Sequence, residues 1–218
     1  MEKNIHIHNV NPIPLVIVDL DEKDCLQEHE IQCLQQVEWR PMNNNQCIKV
    51  SNTYNLLQDN NLHRIKDVFD HYINYYTKEV LSIKENFKMI GSWITRQNIG
   101  GNHHSHNHPN SLLSILWYFN HDLIDGPMSN LNLKLDGVKN VFKDSTFTFS
   151  SNELNKYNYT SFYVEPTNNK VFIFPSRIEH NTEYSMSPIP RYCIGANYFV
   201  ADILGSVGEY SYINIDLK

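Results

Sequence analysis

The chain has 218 residues, 41% of them apolar and 19% charged, with a net charge of −6. That composition belongs to a globular protein rather than a disordered one, and the length fits one large domain better than several. No long basic run marks a nucleic-acid footprint, and no apolar run approaches the roughly 20 residues that a bilayer span requires.

In chain order, "PIPLVIVDL" from Pro12 is a short apolar run fenced by prolines and reads as a strand. Residues 21–36 allow a helix, and "MNNNQ" at Met42 reads as a loop. The clearest helix follows. Leu62, Ile65, Phe69, Tyr72, Ile73, Tyr76 and Val80 recur at steps of three and four, and Asp59 or Asn60 can cap its start. The stripe predicts core packing for its tyrosines.

Beyond it the character changes. "MIGSWITRQ", "SLLSILWYF", "LNLKL", "TFTFS", "SFYVE", "KVFIFP" and "RYCIGANYFV" are short and rich in β-branched and aromatic residues, with turn signals such as Asp136-Gly137 and "EPTNN" between them. A helix-bearing part over 1–87 and an all-β part over 88–204 are expected to form a single domain over 1–218. The fold class is mainly β, a sandwich or jelly roll with the N-terminal helices packed outside.

Four cysteines (Cys25, Cys33, Cys47, Cys193) show no CxxC spacing, and "MEKNIHIHNVNP" has no apolar core of a secretory signal. Free thiols in a reducing cytoplasm are expected.

The chemistry concentrates in "GGNHHSHNHPNS" at Gly100, which packs His103, His104, His106 and His108 together. Residues two apart on a strand share a face, so His106 with His108, or His104 with His106, can grip one metal ion. A distant residue must complete the site. His6, His8 and His29 lie in the N-terminal region, His63 and His71 on the helix, and His121 after the strand leaving the cluster. His180 ends "VFIFPSRIEH", just past a strand of the β-rich part, and is the best third ligand. Eleven residues on, Arg191 opens a strand, and its planar fork suits two-point binding of a carboxylate. A metal beside a carboxylate clamp is the arrangement that a 2-oxo acid cosubstrate needs.

"HNHPNSLLSILWYF", "VFIFPSRIEH" and "RYCIGANYF", in that order, resemble the 2-oxoglutarate/Fe(II)-dependent oxygenases, in particular a group found in marine bacteria and tailed phages with the pattern HxHPxS, FPSxxxH, RxSxxFN. The resemblance covers nearly the whole chain. It implies a double-stranded β-helix, Fe(II) held by His106, His108 and His180, and 2-oxoglutarate as cosubstrate with its C5-carboxylate on Arg191. Tyr118, Asn197 and Cys193 stand at positions that can contact the cosubstrate. Ser111 and Ser114 match the two motif serines and, with His104, are candidates for the shell around the ligands. His103 and His104 are expected to face solvent or stand behind the ligands. The implied reaction consumes O2 and 2-oxoglutarate, releases succinate and CO2, and by default hydroxylates a small-molecule or peptidyl substrate. The setting would be the cytoplasm of a bacterium or a phage-infected cell, and a homodimer is possible.

Three positions depart from the pattern. His108 stands where the wider superfamily has Asp or Glu, so the ligand set carries no charge. Ile115 replaces a motif glycine, and Cys193 replaces a serine. Two other readings share these residues. One is a three-histidine cupin dioxygenase that uses no 2-oxo acid; it would not need Arg191. The other is a non-catalytic phage binding or structural protein on the same fold.

Overall fold

The computed structural model describes residues 13–43, 45–119, 140–143, 161–164, 169–205, 207–208 and 210–217. Strands β1 (Val16–Asp19), β2 (Trp39–Met42), β3 (Asn45–Ser51), β4 (Phe87–Gln97), β5 (Leu113–Phe119), β8 (Lys170–Pro175) and β10 (Arg191–Val200) form one sheet in the order β1-β8-β5-β10-β4-β3-β2. All its pairings are antiparallel. A second sheet orders β7 (Ser161–Val164), β6 (Asn140–Lys143) and β9 (Glu179–Thr182), and the short β11 (Ile203–Leu204) pairs with β12 (Ile213–Asn214). This is the double-stranded β-helix expected for the β-rich part.

The large sheet is buried on both faces, which is why β5, "LSILWYF", has no exposed residue. On one face Ile115, Trp117, Phe119, Val171, Ile173, Tyr192, Ile194, Ala196 and Tyr198 join the helices in the main core. On the other, Leu116, Tyr118, Phe172, Phe174 and Cys193 form a second cluster that takes in Ile178 and Val164 from beside and within the small sheet. The period-two alternation of each central strand thus sorts its residues between a structural face and a site face.

The helical stripe packs as the spacing predicts except at its end, where Val80 is exposed, and Tyr72 is half-buried. Helix α2 (His63–Tyr75), continued by a π-helical turn (Tyr76–Val80), buries Ile65, Val68, Phe69, Ile73 and Tyr76. Phe69 meets Trp117 with ring centroids 6.3 Å apart, and the Tyr198 hydroxyl donates to Asp70 Oδ1 at 2.7 Å. Asp59 accepts from the Asn61 N–H in the 3-10 turn that leads into the helix. Helix α1 (Glu28–Gln35) is pinned to α2 by the buried Glu30 carboxylate. That group accepts from Arg64 Nε at 2.9 Å and Nη2 at 2.6 Å, and from the Gln27 N–H at its own helix start.

The N-terminal region gives strands as well as helices. β1 closes one edge of the large sheet and the antiparallel β2–β3 pair closes the other, so Met42, Asn45 and Gln46 of the expected loop lie in strands. β2 and β3 lacked a readable alternation because Asn45, Gln46, Lys49 and Arg40 occupy much of their length. "LNLKL", "TFTFS", Asp136-Gly137 and His121, like His6 and His8, fall outside the described residues. No described helix is long and apolar enough to cross a membrane.

Phe69→Ala removes the ring that docks α2 on Trp117, and its buried position predicts a loss of about 3–5 kcal/mol in urea unfolding. A loss below about 1 kcal/mol would show that α2 does not depend on this contact.

Candidate metal centre and its cavity

Residues 100–108 are not a free loop. Their backbone runs antiparallel to residues 176–185 as an irregular ladder. Gly100 N donates to Ser185 O, Ser185 N to Gly101 O, Thr182 N to His103 O, His106 N to His180 O, His180 N to His106 O, and His108 N to Ser176 O, at 2.7 to 3.1 Å. The pairing makes His106 and His180 cross-strand neighbours. His106 and His108, two apart, then project together, as the strand period predicts.

Metal-ligating atoms of His106, His108 and His180 lie within 4.8 Å of one another. The ring positions are held by their surroundings. His106 donates its Nδ1–H to His104 O at 2.9 Å, and His180 donates its Nδ1–H to Ile178 O at 3.1 Å. Each neutral ring therefore carries its lone pair on Nε2. His108 Nε2 stands 3.2 Å from His180 Nε2. Burial pushes the His108 imidazole down to about 4, with the neighbouring His106 adding to it, and pushes His180 well below its ordinary value. His106 is lowered too, again by burial. Three imidazoles thus converge with at most one ring proton between them and two lone pairs aimed inward. A metal cation suits this donor set, and carbonyl-fixed tautomers are the support that metal-binding histidines ordinarily have.

His108 is held by more than its backbone. Trp93 stacks on it at 5.3 Å and 24°, and the Asn197 side chain lies against it. The indole needs room that β10 supplies: Gly195 pairs directly with Trp93, and a Cβ at Gly195 would sit 2.8 Å from the indole ring. A chain of hydroxyls closes the circuit. Ser111 Oγ donates to Ser176 Oγ at 2.6 Å and approaches His108 O at 3.2 Å. Ser176 and Ser114 share a contact of 2.8 Å, and Ser114 Oγ donates to Asn197 Oδ1 at 2.9 Å. The two motif serines therefore join the main chain of His108 to the amide beside its ring.

The triad opens on a cavity of about 340 Å³. Arg191 lies in its wall, 5% exposed. Its Nη2 donates to Gln97 Oε1 at 2.6 Å, and its guanidinium sits over the Tyr118 ring at 4.8 Å. Gln97 is the cross-strand partner of Arg191, and its Nε2 donates to Gly101 O and Glu183 O. One amide thus ties the arginine to the histidine ladder. Cys193, opposite Tyr118 in register, also faces the cavity, and its thiol donates to Ile194 O at 3.6 Å.

His106, His108, His180, Arg191, Tyr118, Asn197 and Cys193 accordingly share one cavity. Ser111 and Ser114 stand behind it. His104 is exposed and contributes its carbonyl rather than its ring. Of the two places expected for it, His103 takes the one beside the ligands: it is half-buried, lines the cavity and stacks on His106 at 6.2 Å. Burial, reinforced by the Arg191 charge, takes its imidazole down to about 3. The ladder turns it inward, since its N–H is held by Thr182 Oγ1. Trp93, Gln97 and Ser176 were not singled out; the tryptophan of "MIGSWITRQ" and the serine of "FPS" were the available signs, and Gln97 carried none.

Residues 91–197 match the family model described as "Putative 2OG-Fe(II) oxygenase". That segment contains every residue just placed around the triad. Similar solved structures include an oxidoreductase of the 2OG-Fe(II) oxygenase family from Burkholderia pseudomallei, at 12% identity and a TM-score of 0.58, covering 84% of this chain and 83% of that one. A Trichoplax adhaerens prolyl hydroxylase, in complex with a fragment of the hypoxia inducible factor oxygen degradation domain, is similar at 15% identity and a TM-score of 0.52, with 85% and 83% covered. HygX from Streptomyces hygroscopicus, with nickel, 2-oxoglutarate and hygromycin B bound, is similar at 9% identity and a TM-score of 0.55, with 84% and 82% covered. The Burkholderia protein is described as a member of the 2OG-Fe(II) oxygenase family and HygX carries 2-oxoglutarate, and at these identities the structural likeness is one of fold. No curated protein matches the chain.

Two outcomes follow from the packing. Gly195→Ala should drive the Trp93 indole off His108 and change the tryptophan fluorescence and near-UV circular dichroism; spectra identical to wild type would contradict the stack. Burial pushes the Cys193 thiol up to about 12, so it stays protonated at pH 8. Iodoacetamide should spare Cys193 in the folded protein and label it in urea, as read by peptide mass; labelling without urea would contradict its burial.

Proposed function

We propose that this protein is a 2-oxoglutarate- and Fe(II)-dependent oxygenase, with hydroxylation of a small-molecule or peptidyl substrate as its default outcome. The observation that carries the reading is the meeting of a three-histidine cluster and a buried arginine in one cavity. His106, His108 and His180 would hold the Fe(II). Bound Fe(II) and 2-oxoglutarate supply O2 activation, with succinate and CO2 as the by-products and one oxygen atom passed to the substrate.

The chain's own residues do the rest. Arg191, fixed by Gln97 and by the face of Tyr118, receives the far carboxylate of 2-oxoglutarate through its fork. Its burial strengthens that contact and leaves the carboxylate little water to prefer. Tyr118 and Cys193 shape the wall beside it. Asn197 and Trp93 fix the plane of His108, and the Ser111–Ser176–Ser114 chain holds Asn197 in turn. The aromatic and aliphatic wall of Trp93, Leu116 and Tyr118 excludes water from the reacting atoms. With His108 in place of a carboxylate, the ligand set is neutral, so the cation keeps its full charge to attract anionic cosubstrate. A three-histidine dioxygenase without a 2-oxo acid would not need the fork of Arg191 in its cavity. Free thiols at all four described cysteines accord with a reducing cytoplasm.

Anaerobic titration of the Fe(II)-loaded protein with 2-oxoglutarate should produce a weak visible charge-transfer band, and Arg191→Ala should abolish it at the same concentrations. An undiminished band in that variant would remove Arg191 from the cosubstrate site. His180→Ala should lose stoichiometric Fe(II) binding by equilibrium dialysis; retention of one equivalent would show that the third ligand lies elsewhere. Ser176→Ala should weaken metal binding by about 10- to 100-fold, the usual effect of removing the support of a ligand.

A further inference from the structure

We propose that the substrate of this cavity carries a carboxylate or phosphate group, and that Arg40 is the residue that receives it. The inference rests on the reading of the site given above and adds a substrate class to it.

The first observation is the charge of the lining. Arg40 and Arg191 both face the cavity, with His103 and the triad, and no Asp or Glu is among the described residues that line it. This is unusual in a chain whose 24 acidic residues outnumber 18 basic ones. The histidine ligands bring no charge of their own. Two guanidiniums, a divalent cation and no described carboxylate make this lining favourable to anions, and such a cavity in an acidic protein draws them in.

The second observation is position. Tyr118, Cys193, Thr95, Val50 and Arg40 form one cross-strand row over β5, β10, β4, β3 and β2, and all five line the cavity. Arg40 is thus three strands from Cys193, roughly 14 Å at the usual strand spacing. A five-carbon diacid held at Arg191 and at the histidines lies at the other end of that row. Arg40 therefore serves a different ligand, on the open side of the cavity, where the β2–β3 turn brings Met42 and Asn43 into the wall.

The third is preparation. The Arg40 guanidinium lies over the Tyr54 ring at 5.1 Å and touches its hydroxyl. Tyr54 is anchored by its carbonyl, which accepts from the Ser92 N–H at 2.7 Å on β4. Among the described residues no carboxylate pairs with Arg40. The stack and the contact of Nη2 with the Tyr54 hydroxyl hold the guanidinium plane, and its remaining N–H groups can donate to an oxyanion.

The test uses the full chain loaded with Ni(II), which is redox-inert here, and saturated with 2-oxoglutarate. Calorimetric titrations of metal and then of 2-oxoglutarate come first; failure of either overturns the parent reading and not merely the substrate class. N-acetylglycine, its neutral amide and inorganic phosphate are then titrated separately. N-acetylglycine or phosphate should bind and the amide should not, and the better of the two charged probes separates a carboxylate from a phosphate substrate. Arg40→Gln should weaken the charged probe at least tenfold and leave 2-oxoglutarate affinity unchanged, and Arg40→Lys should restore part of the loss. Equal binding of acid and amide, binding of neither charged probe, or wild-type affinity in Arg40→Gln would overturn the proposal.

Discussion

Everything at the site depends on the backbone ladder between residues 100–108 and 176–185. Without it, four histidines sit on a surface loop and the fifth at the end of a strand. With it, His106 and His180 exchange both backbone hydrogen bonds, and the positions of all three triad rings follow from strand geometry. The ladder also supplies the carbonyls that fix two of the ring tautomers, because His104 O and Ile178 O belong to its own strands. Gly101 is part of this design: a Cβ there would stand 2.8 Å from Cys47 O, so only glycine lets the segment pass so close to β3.

The second constraint is the two-faced character of β10. Tyr192, Ile194, Ala196 and Tyr198 belong to the core under the helices. Arg191, Cys193, Gly195 and Asn197 face the cavity or serve what lines it: a charge, a wall, a space for an indole and an anchor for His108. A one-residue slip in register would bury the charge among the core side chains and turn the site face inside out. Rigid pairing on both sides of β10, by β4 and β5, prevents that. The helices contribute no group to the cavity. They bury the far side of the sheet, with the Glu30–Arg64 pair holding α1 against α2.

Much of this could be read from the sequence, for physical reasons. The i, i+2 spacing of His106 and His108 and the strand-end position of His180 report directly on side-chain direction, and the helical stripe of α2 reports on burial. What could not be read depends on partners distant in sequence. Gln97 looks like any polar strand terminus until its register with Arg191 is known. Trp93 looks like core until Gly195 is seen opposite it. The place of His103 beside His106 in the cavity wall departs from a strict strand period and depends on the irregular ladder, where its N–H is held by Thr182 Oγ1. β2 and β3 escaped notice because an edge hairpin with one polar face has no strong periodic signal, and that same polarity puts Arg40 at the cavity's open side.

The central claim is that neutral histidines and a buried arginine, brought together by one ladder, form a single metal and cosubstrate site. A crystal of the protein soaked anaerobically with Ni(II) and 2-oxoglutarate, with anomalous scattering collected at the nickel edge, tests it most directly. The account predicts one nickel bonded to His106, His108 and His180, with the far carboxylate of 2-oxoglutarate on Arg191. Nickel on His103 or His104 instead, or 2-oxoglutarate away from Arg191, would contradict it.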